Sequence, residues 1–223
     1  MKRFAGIQAV TFDVGNTLIK PWPSVGHIFA EVAAAHGHGN CSPEELNRRF
    51  IEAFRNHGGE VNTKPQWAQI VDATFAGLLL EPPGRSFFPD LYARFTRAYT
   101  WQIFDDVGPT LTALRQRGLK LGVISNWDDR LRPLLHALKL ANLFDTIIVS
   151  CEVGTSKPAA LIFETAVNQL GVSASAILHV GDSFKADVAG ARATGFNALQ
   201  IERETRIATD WQINSLAELL AHV

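Results

Sequence analysis

Five short apolar runs divide the sequence, at residues 7–13, 119–125, 146–150, 176–181 and 197–201. Each is unbroken by the polar alternation of a half-exposed strand, so each reads as a strand buried on both faces. Helical patterns follow at 110–117, 129–138, 158–170 and 186–194. Three of these stop at Gly118, Gly171 and Gly195, residues that take the left-handed conformation closing a helix at little cost. Strand alternating with helix implies an α/β protein, a Rossmann-like core with a parallel sheet.

The stretch between the first two runs breaks this rhythm. Residues 21–104 show no convincing strand and read as four helices, at 25–36, 43–57, 65–80 and 89–99. Ser42-Pro43-Glu44-Glu45 has the form of a capping box. The breaker-rich stretches 58–63 and 81–85 read as loops. So many helical residues exceed one crossover. The expected organisation is a core of residues 1–20 and 105–223 with a helical domain, 21–104, inserted after the first strand.

Composition narrows the function. Twenty-one basic and 22 acidic side chains leave a net charge of −1 in 223 residues. No excess of either sign supports a nucleic-acid binder or a polybasic membrane binder. No apolar run approaches the roughly 18 residues of a membrane span. Cys41 and Cys151 are too few for a disulfide framework and too scattered for a zinc site. The first acidic residue, Asp13, arrives with no cleavage-like tract before it, so a cytoplasmic, reducing setting is expected.

Ligands of open α/β sheets bind beyond the carboxyl ends of the strands. There the sequence places Asp13, Ser125-Asn126, Lys157 beyond the third strand, and Asp182 with Asp187. This inventory suits phosphoryl transfer through a covalent aspartyl intermediate. A carboxylate that meets an anionic phosphate needs positive charge. Lys157 supplies one unit, and Mg²⁺ held by Asp13 and Asp182 supplies two more. Ser125 and the N–H groups behind it suit phosphoryl oxygens at a strand-to-helix turn.

In order along the chain, FDVGNTL, VISN, SKP and HVGDSFKADVAGARATG resemble the four motifs of the haloacid dehalogenase superfamily of hydrolases. The helical insert is similar to that family's C1-type cap, a domain expected to close over the strand ends and exclude water. The resemblance implies that Asp13 is the nucleophile and a Mg²⁺ ligand. It makes Thr17 the residue that orients the nucleophile's loop, and Ser125, with Asn126 beside it, the phosphate-binding pair. Lys157 would neutralise charge. Asp182 would hold the metal, and Asp187 would bind metal-bound water or hold Lys157. The implied partner is a small phosphorylated substrate, with neither nucleic acid nor membrane.

One position departs from the family's phosphatases. They carry a second Asp, two residues after the nucleophile, that protonates the leaving alcohol and later activates water. Here the residue is Gly15, whose carbonyl can bind a metal but whose side chain has no proton to give. General acid–base help contributes about 10²–10⁴-fold, so slow turnover is expected, slowest on alkyl phosphates. The family's 2-haloacid dehalogenases and phosphonatases lack this Asp as well, and both stand as alternatives. Yet a metal-free dehalogenase has no use for Asp182, and a phosphonatase needs a cap lysine such as Lys64, which sits in a loop before a helix. A non-catalytic phospho-ligand or partner-binding protein is a further alternative. His36 and His38 lack a third metal ligand, and His179, inside an apolar strand, reads as a hydrogen-bonded core histidine and not a base.

Overall fold

The computed structural model describes residues 3–58, 61, 63–204 and 209–223. The chain forms two compact units: Met1–Ile19 with Ile103–Val223, and Lys20–Gln102. The strands are β1 (Ala9–Phe12), β2 (Ile19–Pro21), β3 (Trp101–Ile103), β4 (Lys120–Ser125), β5 (Thr146–Val149), β6 (Ile177–Gly181), β7 (Asn197–Ile201) and β8 (Gln212–Ile213). Six of them make one sheet in the order β5-β4-β1-β6-β7-β8. Every neighbouring pair in it is parallel. The chain steps outward from β1 to β4 and β5, then returns past β1 to continue with β6. That reversal opens a crevice at the carboxyl end of β1, where open sheets take their ligands.

The helices are α1 (Val25–Ala35), α2 (Pro43–Asn56), α3 (Lys64–Phe75), α4 (Phe88–Arg94), α5 (Val107–Gln116), α6 (Leu131–Ala137), α7 (Ser150–Val153), α8 (Ala160–Leu170) and α9 (Gly190–Ala193). Helix α8 turns Ile162, Phe163, Ala166 and Leu170 inward, the stripe that a 3.6-residue period predicts. These residues pack with Ile124, Ile148, Ile177 and Ala198 of the strands into one apolar cluster. Gly171 follows the helix at φ 65°, the left-handed stop expected of it.

The unit of residues 20–102 is built on α1–α4, with a core of Phe29, Leu46, Val71, Phe75, Phe87 and Leu91 among others. The Phe29 ring stacks on Phe75 at 5.8 Å. A Cβ on Gly26 would lie 2.0 Å from the Pro43 carbonyl oxygen, so glycine is what lets α1 and α2 approach here. Lys64 opens α3 with its ammonium 5.0 Å from the Tyr92 ring. His36 contacts Asp90 at 2.9 Å.

Several expectations are corrected. The stretch read as purely helical is bounded by β2 and β3, which pair as a two-stranded sheet. The helix expected to run to 80 ends at Phe75, and the one expected to run to 99 ends at Arg94. Residues 186–194 are a π-turn, Phe184–Ala189, continued by α9. At Ser42 only half of the capping box forms: the hydroxyl accepts from Glu45 N–H, but the Glu45 carboxylate turns to Arg48 and Arg49. Full boxes occur instead at Thr63–Gln66 and Ser215–Glu218. The loop at 58–63 lies partly outside the described residues. Among the described residues no helix is long and apolar enough to cross a membrane, and both cysteines are free thiols.

Candidate active site

Parallel register brings the strand ends together. Phe12 is level with Val123 on one side and Val180 on the other, so the residues just beyond these three strands share one edge. Asp13 leaves β1 with its N–H donated to Val180 O at 2.9 Å, which fixes the start of the loop. Ser125 closes β4 and donates its hydroxyl to Asp13 Oδ1 at 2.9 Å.

Lys157 reaches the same oxygen from the far side of the sequence. Its side chain is 2% exposed. All three ammonium protons have acceptors: Asp13 Oδ1 at 2.8 Å, Asp187 Oδ1 at 2.6 Å and Ile124 O at 2.7 Å. Burial alone would lower the Lys157 pKa. The two carboxylates outweigh burial and hold it above its ordinary value. Asp13 Oδ1 thus accepts two hydrogen bonds, while Oδ2 accepts none among the described residues.

Asp187 is tied on both oxygens. Oδ1 faces Lys157 and His179 Nε2, and Oδ2 accepts the Ser183 N–H at 2.9 Å. Burial pushes its carboxyl up, but the Lys157 charge and the His179 hydrogen bond bring it well below the usual carboxylate range. The floor beneath it is Gly181. A Cβ there would fall 2.2 Å from Asp187 Cγ. Gly181→Ala is therefore expected to displace Asp187, with about 1–3 kcal/mol of overpacking and a matching loss of turnover, read by thermal melts and steady-state kinetics.

Asp182 is less restrained. Its Oδ2 accepts from Asn16 Nδ2 at 3.3 Å, and its carbonyl accepts from Gln200 Nε2 at 2.8 Å. Burial, then the charges of Asp13 and Asp187, raise its pKa to about 7. Burial likewise raises Asp13. One buried ammonium faces three carboxylates, so the pocket carries excess negative charge.

The remaining expected residues divide. Asn126 uses both ends of its amide on the Lys157 backbone, accepting from N–H at 2.7 Å and donating to the carbonyl at 2.9 Å. That makes it a brace for Lys157. Thr17 is fully buried, and its hydroxyl has no hydrogen-bond partner among the described residues. Its carbonyl is what is held, by Arg203 Nη2 at 2.6 Å. Arg203 also donates to Asp106 at 3.1 and 3.2 Å and lies 3.6 Å over the Phe104 ring. An arginine just after the fifth run gave no sequence signal for this grip. Gly15 has Trp127 as neighbour, with Cζ3 3.5 Å from where a Cβ would stand. Asp128 binds Arg130 in a buried pair, accepting from both its guanidinium and its backbone N–H. Among the described residues no three His, Cys, Asp or Glu side chains are arranged to enclose a metal alone.

The model of the haloacid dehalogenase-like hydrolase family matches residues 7–195. The chain is 34% identical to haloacid dehalogenase-like hydrolase domain-containing protein 3 of Mus musculus, over 87% of this chain and 82% of that protein. It is 30% identical to the glyceraldehyde 3-phosphate phosphatase of Methanopyrus kandleri, over 88% and 84%. Among solved structures, the HAD phosphatase of Thermococcus onnurineus superposes with a TM-score of 0.69 at 26% identity, covering 96% of this chain and 97% of that one.

Proposed function

This chain belongs to the haloacid dehalogenase-like hydrolases, and on that premise we propose that it is a Mg²⁺-dependent phosphatase of small phosphorylated compounds that works through an aspartyl phosphate on Asp13. The observation that carries this reading is the asymmetry of Asp13. One oxygen is held by Ser125 and Lys157, and the other has no donor among the described residues.

The donor set suits a divalent cation. Asp13 Oδ2 and Asp182 Oδ1 accept no hydrogen bond among the described residues, and the local charge is negative. Mg²⁺ is content with one or two carboxylates, several waters and a substrate oxygen, so no three-residue cage is needed. Asp13 and Asp182, with the Gly15 carbonyl, would hold it. Asp187 is committed to Lys157, His179 and Ser183, which favours its role as the lysine's anchor over a role as ligand. When bound, the ion would offset the repulsion between nucleophile and phosphate.

The chain's own groups do the rest. The Lys157 charge favours the ionised form of Asp13 against burial, and the ammonium holds the carboxylate in place, since each of its protons is fixed to an acceptor. A bond forms from the Asp13 carboxylate to phosphorus as the bond to the leaving oxygen breaks. Water then attacks the aspartyl phosphate and frees phosphate. At position 15 nothing protonates the leaving oxygen, so turnover should follow the leaving group's own acidity. The relative that cleaves glyceraldehyde 3-phosphate supports a small phosphorylated metabolite as substrate.

Purified protein assayed with p-nitrophenyl phosphate and acetyl phosphate should release product with Mg²⁺ and lose that activity in EDTA. No release above an Asp13→Asn control on either substrate contradicts the reading and favours a binding role. Gly15→Asp tests the missing proton. A Cβ there meets only Trp127, at ordinary contact distance. Turnover of glycerol phosphate should rise by about 10²-fold, and that of acetyl phosphate far less.

The Asp182 carboxyl adds a stability test. Its folded pKa of about 7 lies above the ordinary carboxylate value. Between about pH 4 and 7 the folded state then binds more protons than the unfolded one, so without metal this group's contribution falls as pH rises through that window. Melting in EDTA should show that decline, and added Mg²⁺ should raise the midpoint more at pH 8 than at pH 5.

A further inference from the structure

Behind the nucleophile, the sheet interior holds a histidine that the phosphatase mechanism does not use. His179 lies in the middle of β6, fully buried. Its register partner on β1 is Thr11. The two side chains meet, Thr11 Oγ1 to His179 Nδ1, at 2.9 Å. The other ring nitrogen, Nε2, is 3.1 Å from Asp187 Oδ1. That oxygen also receives Lys157 Nζ. A chain of polar contacts thus runs from Thr11 through His179, Asp187 and Lys157 to Asp13.

The chemistry of the end groups fixes the protons. An ionised carboxylate only accepts, so Nε2 carries the hydrogen it donates to Asp187. In a neutral ring Nδ1 then accepts, and the Thr11 hydroxyl is its donor. Burial disfavours the imidazolium form. Phe163 closes one side of the ring, edge to face at 5.6 Å, so the imidazole cannot turn without moving the core.

We propose that His179 is a positioning residue: as the neutral Nε2–H tautomer, held by Thr11, it fixes Asp187 Oδ1 so that Lys157 stays on the nucleophile. Asp187 belongs to the π-turn Phe184–Ala189, a rare backbone form that occurs mostly as single turns and often at functional sites. Ser183 N–H holds one Asp187 oxygen and His179 the other, which removes rotation about the carboxylate. The inference rests on the phosphatase reading for its kinetic consequence, but not for the tautomer.

The test joins ¹⁵N NMR of the imidazole in the intact protein with kinetics on p-nitrophenyl phosphate. The His179 ring should give the neutral Nε2–H signature. His179→Leu should lower kcat by about tenfold or more, since a misplacement of order 1 Å costs up to ~10²-fold, while KM stays within about twofold. His179→Gln, which keeps a donor toward Asp187, should recover most of kcat. Should the Leu variant fail to fold, Thr11→Val carries the test. Losing the donor to Nδ1 should lower kcat roughly threefold and shift the ring resonances. A folded His179→Leu with unchanged kcat, a Thr11→Val protein with wild-type kcat, or an Nδ1–H signature overturns the proposal. A wild type no faster than Asp13→Asn defeats the phosphatase reading instead, and the NMR arm still decides the tautomer.

Discussion

Asp13→Asn is expected to bring phosphate release down to background, a loss of at least ~10³-fold, while leaving the protein folded. Asparagine has nearly the volume of aspartate. Its amide oxygen can accept from Ser125 and Lys157 much as Asp13 Oδ1 does, at 2.9 and 2.8 Å. What the amide lacks is the charge and the lone-pair reactivity for attack on phosphorus. Burial already works against a charge at this position, so removing the charge relieves desolvation even as Lys157 gives up a counter-ion. Rate and stability should therefore separate: activity disappears and the melting temperature stays near that of the wild type. A rate loss accompanied by collapse of the fold would place Asp13 among the structural residues.

Lys157→Met should damage both. Among the described residues the ammonium is the one cation in direct contact with both Asp13 and Asp187. Methionine fills the space of the lysine stem but leaves two buried carboxylates without their shared counter-ion. Removing one partner of a buried ion pair costs about 3–5 kcal/mol, which in a chain of this size lowers the melting temperature by roughly 10 °C. Loss of an electrostatic stabiliser of the reaction should cut kcat by about 10²–10³-fold. The sign of the pH response follows. Without the ammonium, both carboxyls rise in pKa, so the folded variant takes up protons more readily than the unfolded chain. Its deficit relative to wild type should then shrink as pH falls from 7 toward 5. A variant equally destabilised at both pH values would show that the lysine matters for packing and not for charge.

How much of this was legible in the sequence depended on the range of the signal. The five long strands could be read because burial on both faces writes an unbroken apolar run. Strands β2, β3 and β8 could not, because two or three residues carry no period. Asp13, Ser125, Lys157 and Asp187 were visible because a parallel sheet collects the residues that follow its strands at one edge, and the structure joins these four in one hydrogen-bonded network. Spacing alone left open whether Asp187 serves a metal or a lysine, since that depends on where its two oxygens point. His179 could be read as a hydrogen-bonded core histidine, as it is, but not which groups it meets, and Arg203 gave no local signal. Their partners, Thr11 and Thr17, lie 168 and 186 positions away, and nothing in an apolar strand or a short polar turn announces such contacts.

Mass spectrometry of protein quenched in acid during turnover of acetyl phosphate, followed by reductive capture of the acyl phosphate and peptide mapping, reads out attack by the Asp13 carboxylate directly. The expected result is a modification confined to the peptide containing Asp13, dependent on Mg²⁺ and missing from Asp13→Asn. Steady turnover with that peptide unmodified, or a label that persists on another residue in the Asn variant, would contradict it.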